Sequence, residues 1–344
     1  MHKHGGDIYS YENIIDFSAN INPLDAPESV KEAIIKSAQV CGHYPDVQCR
    51  ELKKALNEKT GINTDFVTFG NGAAELIFAL AFALKPQKAI VTEPTFEEYA
   101  QALDAVGCKT ERYSLKEKNG FKAQKDFIDY IDQYTDVVFL CNPNNPTGIV
   151  YNKEFTENVL KKCIETDTYL VIDECFNNFL ENGEEVSLIN KIEKYKKLVI
   201  LKAFTKMYAM AGIRLGYIIC SCKEFHKKIK ACIQPWSVSV TAQMAGCAAL
   251  REKNWEEKTR EYVKKEKKFL LENMEKLGVK IFGSEANYIF FKEEKDFDKK
   301  MLKKGFLIRN CENYIGLSEG FFRIAVRKHE ENKSLIKAWN EIKR

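Results

Sequence analysis

The chain has 344 residues, 45% of them hydrophobic, with 53 basic and 49 acidic side chains and a net charge of +4. That is ample core for two or three units of about 150 residues each, and the near balance of charge argues against a nucleic-acid partner while leaving small anions as ligands. No apolar run reaches the roughly 18 residues that span a membrane, and Met1-His2-Lys3-His4-Gly5-Gly6 has no apolar signal core, so a cytoplasmic protein is expected.

Gly70-Asn71-Gly72-Ala73-Ala74 opens a helix expected over 73–84. Its free N–H groups and dipole form a cradle for an anion. Ala89-Ile90-Val91-Thr92 reads as a strand, followed by a helix over 97–106. Val137-Val138-Phe139-Leu140 is the next strand, with a polar turn over 142–148 and a helix over 152–166. Tyr169-Leu170-Val171-Ile172 runs into Asp173-Glu174, and Leu198-Val199-Ile200-Leu201 is followed by Thr205-Lys206. Short, nearly continuous apolar runs suit parallel strands buried on both faces. Their alternation with helices predicts an α/β fold with a mostly parallel sheet covered by helices.

The last third changes character. A charged helix is expected over 255–277, its Lys/Glu-rich stretch 255–268 reading as a solvated face. Strands over 287–291 and 321–326 and a closing helix over 330–342 suggest a smaller α/β unit. The expected organisation is a segment 1–40 lying over the site and the small domain, a large domain over 41–240, and a small domain over 241–344. The eleven cysteines are scattered, with no CxxC. Most are expected as small buried side chains in a reducing compartment, and no metal site is expected.

The polar clusters fall just after strand ends, the edge where open α/β sheets bind ligands. Thr205-Lys206, followed by Gly212, Arg214 and Gly216, places an amine near a fixed cation. Burial or positive neighbours lower a lysine's pKa and make it a nucleophile. Asp173 sits at the mouth of an apolar strand, where a carboxylate can hold a pyridinium nitrogen protonated. Alone, each cluster is commonplace. A glycine-rich helix start is more often a turn, a strand-end aspartate a cap, and Phe96 a core aromatic.

Together and in this order the clusters resemble the fold-type I pyridoxal-5'-phosphate (PLP) enzymes over nearly the whole chain. The most specific pieces are Asn142-Pro143-Asn144-Asn145-Pro146-Thr147-Gly148, Asp173-Glu174-Cys175-Phe176, and Thr205-Lys206 with Arg214 eight residues on. The resemblance implies that Lys206 carries PLP as a Schiff base. It implies that Asp173 pairs with the pyridine nitrogen, Asn145 bonds the ring 3-oxygen and Phe96 stacks on the ring. Gly72, Ala73, Thr205 and Arg214 would hold the cofactor phosphate, and Tyr44 would reach the phosphate of the neighbouring subunit in a homodimer. Arg323 would clamp the substrate α-carboxylate, a bidentate task suited to guanidinium. Ala203 stands where related enzymes can place a phosphate-binding serine.

Two branches of this family fit, both acting on phosphorylated substrates: the L-threonine-O-3-phosphate decarboxylases of cobalamin biosynthesis and the histidinol-phosphate aminotransferases. Three features favour the decarboxylases. His4-Gly5-Gly6-Asp7 with Asp16-Phe17-Ser18-Ala19-Asn20-Ile21-Asn22-Pro23 resembles their opening, which implies that His4 meets the substrate phosphate. Phe176 replaces a tyrosine usual in the aminotransferases and cannot donate a hydrogen bond. Arg309 precedes Arg323 at a spacing like that of two substrate arginines. The expected reaction is decarboxylation of O-phospho-L-threonine to (R)-1-amino-2-propanol O-phosphate, with aminotransfer as the alternative. A role as an effector-binding module beside a DNA-binding domain is disfavoured, since no recognition-helix pattern or basic patch appears.

Overall fold

The computed structural model describes residues 4–344. After the short β1 (Ile15–Asp16) come β2 (Val67–Gly70), β3 (Lys88–Glu93), β4 (Lys109–Ser114), β5 (Val137–Cys141), β6 (Tyr169–Asp173), β7 (Leu198–Ala203) and β8 (Gly216–Ile219). The last seven form one sheet in the order β2-β8-β7-β6-β5-β3-β4. Pairing from β4 through β3, β5 and β6 to β7 is parallel, whereas β8 runs antiparallel to both β7 and β2. The reversal of β8 brings its first residue to the edge where β7 and β2 end, so the loop between β7 and β8 and the residues after β2 face the same ligand edge.

The strands follow their side chains. Every residue of β5 is buried, as are four of the five in β6, which is what a strand covered on both faces requires. Helices Gly72–Leu84, Glu98–Ala105 and Lys153–Glu165 fall where the sequence places them, to within two residues. Asn152 caps the last of these, its side chain accepting from Phe155 N at 2.8 Å. β4 is absent from the sequence reading because Lys109-Thr110-Glu111-Arg112-Tyr113-Ser114 is an edge strand with a mostly polar, half-exposed pattern.

A second, antiparallel sheet is made of β9 (Lys280–Gly283), β10 (Tyr288–Lys292), β12 (Arg309–Asn310) and β13 (Phe321–Ala325), in the order β12-β13-β10-β9. Between β10 and β12, β11 (Phe306–Leu307) pairs in parallel with β1, so the start of the chain is stitched to its last third. Phe291, Phe297, Phe322 and Trp339 pack behind this sheet, with Trp339 centroids 5.0 and 4.6 Å from those of Phe291 and Phe297. Helix Trp255–Lys276 buries Val263, Leu270 and Met274 and exposes Lys264 and Lys268, an amphipathic helix as its charge pattern suggests. All eleven cysteines are free thiols and seven of them are buried. Among the described residues no helix is long and apolar enough to cross a membrane.

One glycine fixes the geometry of the ligand edge. A Cβ on Gly216 would stand 2.8 Å from Ala73 N and 2.9 Å from the Gly72 carbonyl carbon. The absence of a side chain there lets the start of helix Gly72–Leu84 lie directly on the sheet. Because both obstacles are backbone, Gly216→Ala is expected to destabilise the protein by about 1–3 kcal/mol. A lower urea midpoint with an unchanged slope would show this; an unchanged midpoint would contradict it.

Candidate active site

The ends of β5, β6 and β7 and the start of helix Gly72–Leu84 open into a cavity of about 310 Å³. Asn145, Asp173, Thr205, Lys206, Arg214, Ala73 and Phe96 line it, joined by Arg309 and Arg323 from the second sheet and by His4 from the N-terminal segment. Eleven of the twelve residues singled out in the sequence therefore meet at one place. Gly72 lies just behind the lining, against Arg214. Tyr44 does not join them: it is exposed and stacks on Trp236 at 4.4 Å.

At one end of the cavity Gly72 has φ +82° and opens the helix whose first N–H groups point outward. A Cβ there would come 2.7 Å from an Arg214 guanidinium nitrogen. Arg214 itself takes the left-handed conformation, φ +61°, and the one hydrogen bond of its side chain among the described residues is a long contact to Ala211 O at 3.4 Å. A helix start, the Thr205 hydroxyl and a guanidinium thus converge, which is a receptor for a phosphate or similar anion. Ala203 lines the cavity at the end of β7, contributing no donor.

In the middle, Lys206 is flanked by an aromatic floor and a carboxylate. Its Nζ lies 5.6 Å from the Phe176 ring, which packs edge-on against Tyr288. Asp173 is buried, accepting from Tyr99 Oη at 2.6 Å and from Cys175 N at 2.9 Å. Burial pushes the Asp173 carboxyl above the ordinary carboxylate range, against the pull of those donors and of Lys206. Burial, followed by the charges of Arg323 and Arg214, pulls the Lys206 amine down to about 8. Phe96 packs edge-on against Tyr99 at the cavity wall.

At the other end stand the two arginines. Arg309 and Arg323 are directly opposite each other on β12 and β13. Both are buried. Arg323 donates to Asn145 Oδ1 and, at 2.7 Å, to the Ser18 carbonyl, while its Nε is buried with no partner among the described residues. Arg309 donates to the Asn310 carbonyl at 2.6 Å and lies 5.1 Å over the Tyr314 ring. Among the described residues no carboxylate pairs with either. Like charges placed opposite each other on a sheet repel, and buried charges ordinarily find a counter-ion. This end of the cavity is built for an anion.

The N-terminal segment closes the site from above. Gly6 N donates to Ser18 Oγ at 2.7 Å, and Ser18 Oγ donates to Asp16 Oδ1 at 2.6 Å. Asn22 ties the segment to the lysine loop through Met207 O at 2.6 Å. His4 reaches the cavity 3.7 Å from Glu98. Glu98, Tyr99 and Tyr314 were missed in the sequence. Glu98 and Tyr99 sit two and three residues after Phe96, on the turn that begins helix Glu98–Ala105, a spacing that could have flagged them.

The chain matches the family model for aminotransferase class I and II over residues 12–338. It is 32% identical to the threonine-phosphate decarboxylase of Salmonella typhimurium, over 98% of this chain and 96% of that protein. It is 31% identical to an adenosylcobalamin biosynthesis bifunctional protein of Leptospira interrogans, over 99% of this chain and 41% of that protein. Among solved structures, the histidinol-phosphate aminotransferase from Clostridium acetobutylicum superposes with a TM-score of 0.88 at 33% identity, covering 95% of this chain and 98% of that one.

The environment of Lys206 makes a titration prediction. Its folded pKa lies below the usual 10.5, so the reactive neutral amine accumulates as pH rises through about 8. Labelling of Lys206 in the ligand-free protein by an amine-selective acylating reagent, read by peptide mapping, is expected to rise with a midpoint near pH 8. Arg323→Leu removes a repelling cation and should move that midpoint upward. A wild-type midpoint at the ordinary lysine value would contradict the assignment.

Proposed function

Because the chain belongs to the class I and II aminotransferase family, we propose that it is a PLP-dependent decarboxylase. It converts O-phospho-L-threonine to (R)-1-amino-2-propanol O-phosphate and CO2, a step of cobalamin biosynthesis. The observation that carries the reading is the buried pair of Arg309 and Arg323, with which no carboxylate pairs among the described residues. Two guanidiniums side by side call for a ligand with two anionic groups, and an amino acid phosphate has both a carboxylate and a phosphate. Histidinol phosphate offers the phosphate alone. The threonine-phosphate decarboxylase relative, which matches along nearly the full length of both chains, supports the same choice.

The residues present fit the cofactor. The hollow at Gly72, which a Cβ would fill, together with Ala73, Thr205 and Arg214, would hold its phosphate. Asp173, desolvated and pushed upward in pKa, gains a compensating cation if it meets a protonated ring nitrogen. Asn145 would meet the ring 3-oxygen, Phe96 would cover the ring, and Lys206, with its lowered pKa, is the amine for its aldehyde. When bound, PLP supplies an electron sink for whichever Cα bond of an amino acid stands perpendicular to its ring.

The protein's own part is orientation and proton handling. Arg323, fixed by Asn145 and Ser18, would grip one anionic group and Arg309, held against Tyr314, the other. Two anchors on one rigid sheet fix the rotation about the substrate's Cα, which selects the bond that breaks. His4 would add a donor to the phosphate from the N-terminal side. Lys206, its amine pulled down to about 8, is suited to return a proton to Cα once CO2 has left.

Offering O-phospho-L-threonine and following CO2 tests the reaction, beside a parallel assay of histidinol phosphate with 2-oxoglutarate that follows glutamate. CO2 release without glutamate is expected, and Lys206→Ala should lower it by at least about 10³-fold. A dicarboxylate amino donor would also satisfy the arginine pair. Glutamate formation without CO2 would therefore replace this reading by the aminotransferase one.

We also propose that the enzyme is a homodimer with shared active sites. Tyr44 and Trp236 are exposed aromatics stacked on each other, and the hollows on either side of Asp46 take in Val40, Tyr44, Val47 and Trp236. Such a surface suits a two-fold contact. Light scattering should give about twice the chain mass of 39.6 kDa, and Tyr44→Ala should weaken PLP retention. A monomer that retains PLP fully would refute this arrangement.

A further inference from the structure

Glu98 has no task in the reaction just described, yet it lines the cavity beside Lys206 and Asp173. Its side chain is only 13% exposed. Oε1 lies 3.7 Å from His4 Nδ1, beyond hydrogen-bond reach. Oε2 is buried and has no hydrogen-bond partner among the described residues. Asp173, the other carboxyl lining the cavity, differs sharply, since both of its oxygens accept hydrogen bonds. A buried polar oxygen without a partner is unfavourable, and a ligand supplying the partner removes that cost.

The charges around Glu98 come from every side of the cavity. His4 faces it from the N-terminal segment, Glu97 from the preceding turn, Asp173 from the end of β6 and Lys206 from the loop after β7. Arg214, Arg309 and Arg323 line the same space. Burial, Glu97 and Asp173 disfavour the ionised form, while its own backbone N–H and Lys206 favour it, and the balance lifts the carboxyl to about 7. Without a ligand Glu98 is therefore ionised above about pH 7 and neutral below. A ligand carrying a carboxylate and a phosphate adds further negative charge, which raises that value again. The ionised carboxylate offers only acceptors, whereas the neutral acid gains one O–H donor. An amino acid without phosphate brings less charge and drives this change less.

We propose that Glu98 is a specificity residue: it takes up a proton from solvent as a phosphorylated amino acid enters, and the resulting carboxylic acid donates a hydrogen bond to an anionic oxygen of the ligand. This rests on the reading of the cavity as a site for phosphorylated amino acids. It adds a way to prefer the phosphorylated compound that the arginine pair alone does not provide.

The test measures protons. The PLP-loaded full chain is titrated calorimetrically with 1-amino-2-propanol O-phosphate, which has no carboxylate to lose, at about pH 8 in two buffers of different ionisation heat. The dependence of the heat on the buffer gives the protons taken up. Wild type is expected to take up about one more proton per site than Glu98→Gln, and Glu98→Asp is expected to recover most of that difference. Glu98→Asp keeps the negative charge that Lys206 and Asp173 feel, and the visible absorbance of bound PLP shows that each protein is folded. Equal uptake in wild type and Glu98→Gln, with the phosphate compound still bound, overturns the proposal. Failure of every protein to bind the compound while PLP stays bound overturns the phosphorylated-substrate reading, and this inference with it. A clear difference in uptake alongside glutamate formation in the substrate assay would uphold the role of Glu98 while the decarboxylase reading falls.

Discussion

Arg323 is a full positive charge held inside the protein by neutral groups. It donates to the Asn145 side-chain oxygen from the loop after β5 and to the Ser18 carbonyl from the N-terminal segment, and it sits on β13 of the second sheet. Three separate parts of the chain thus fix one guanidinium. A carboxylate partner would have neutralised it. Carbonyl and amide oxygens orient the group and leave its charge to act on the cavity.

That uncancelled charge shapes its neighbours. After burial it is the largest influence that pulls Lys206 toward neutrality, with Arg214 adding to it from the opposite end. Asp173 accepts from Tyr99 and Cys175, and burial lifts its carboxyl against the pull of those donors and of Lys206. The cavity therefore has arginines at both ends, and between them an amine with a lowered pKa and a carboxyl with a raised one. Groups whose environments push their pKa values in such ways are common where proton transfer and covalent capture occur together.

The parts of the site differ in what they hold. The cradle at Gly72, Thr205 and Arg214, with Asp173 and Lys206, is built on the ends of the large sheet, and such a frame can serve many reactions. Arg309, Arg323, Ser18 and His4 belong to the second sheet and the N-terminal segment, which β1 and β11 join. On the function proposed above, changes there would alter which ligand is gripped, and how it is turned, while the ends of the large sheet stay as they are. The likeness of this chain to both a decarboxylase and an aminotransferase follows naturally from that division.

The sequence by itself determined the central strands and most of the site. Runs such as Val137-Val138-Phe139-Leu140 are legible because a strand buried on both faces must be apolar throughout, and Lys206, Asp173 and Asn145 stand in short motifs next to such runs. Polar edge strand β4 gave no such signal, and Glu98 and Tyr99 read as an ordinary helix start. Only the tertiary structure decided that Arg309 lies opposite Arg323, that the Ser18 carbonyl reaches an arginine 305 residues away, and that Glu98 keeps one oxygen without a partner among the described residues. The physical reason is range. Hydrophobic periodicity and turn chemistry are properties of neighbouring residues, whereas the charge and hydrogen-bond state of a buried group is a sum over segments that only folding brings together.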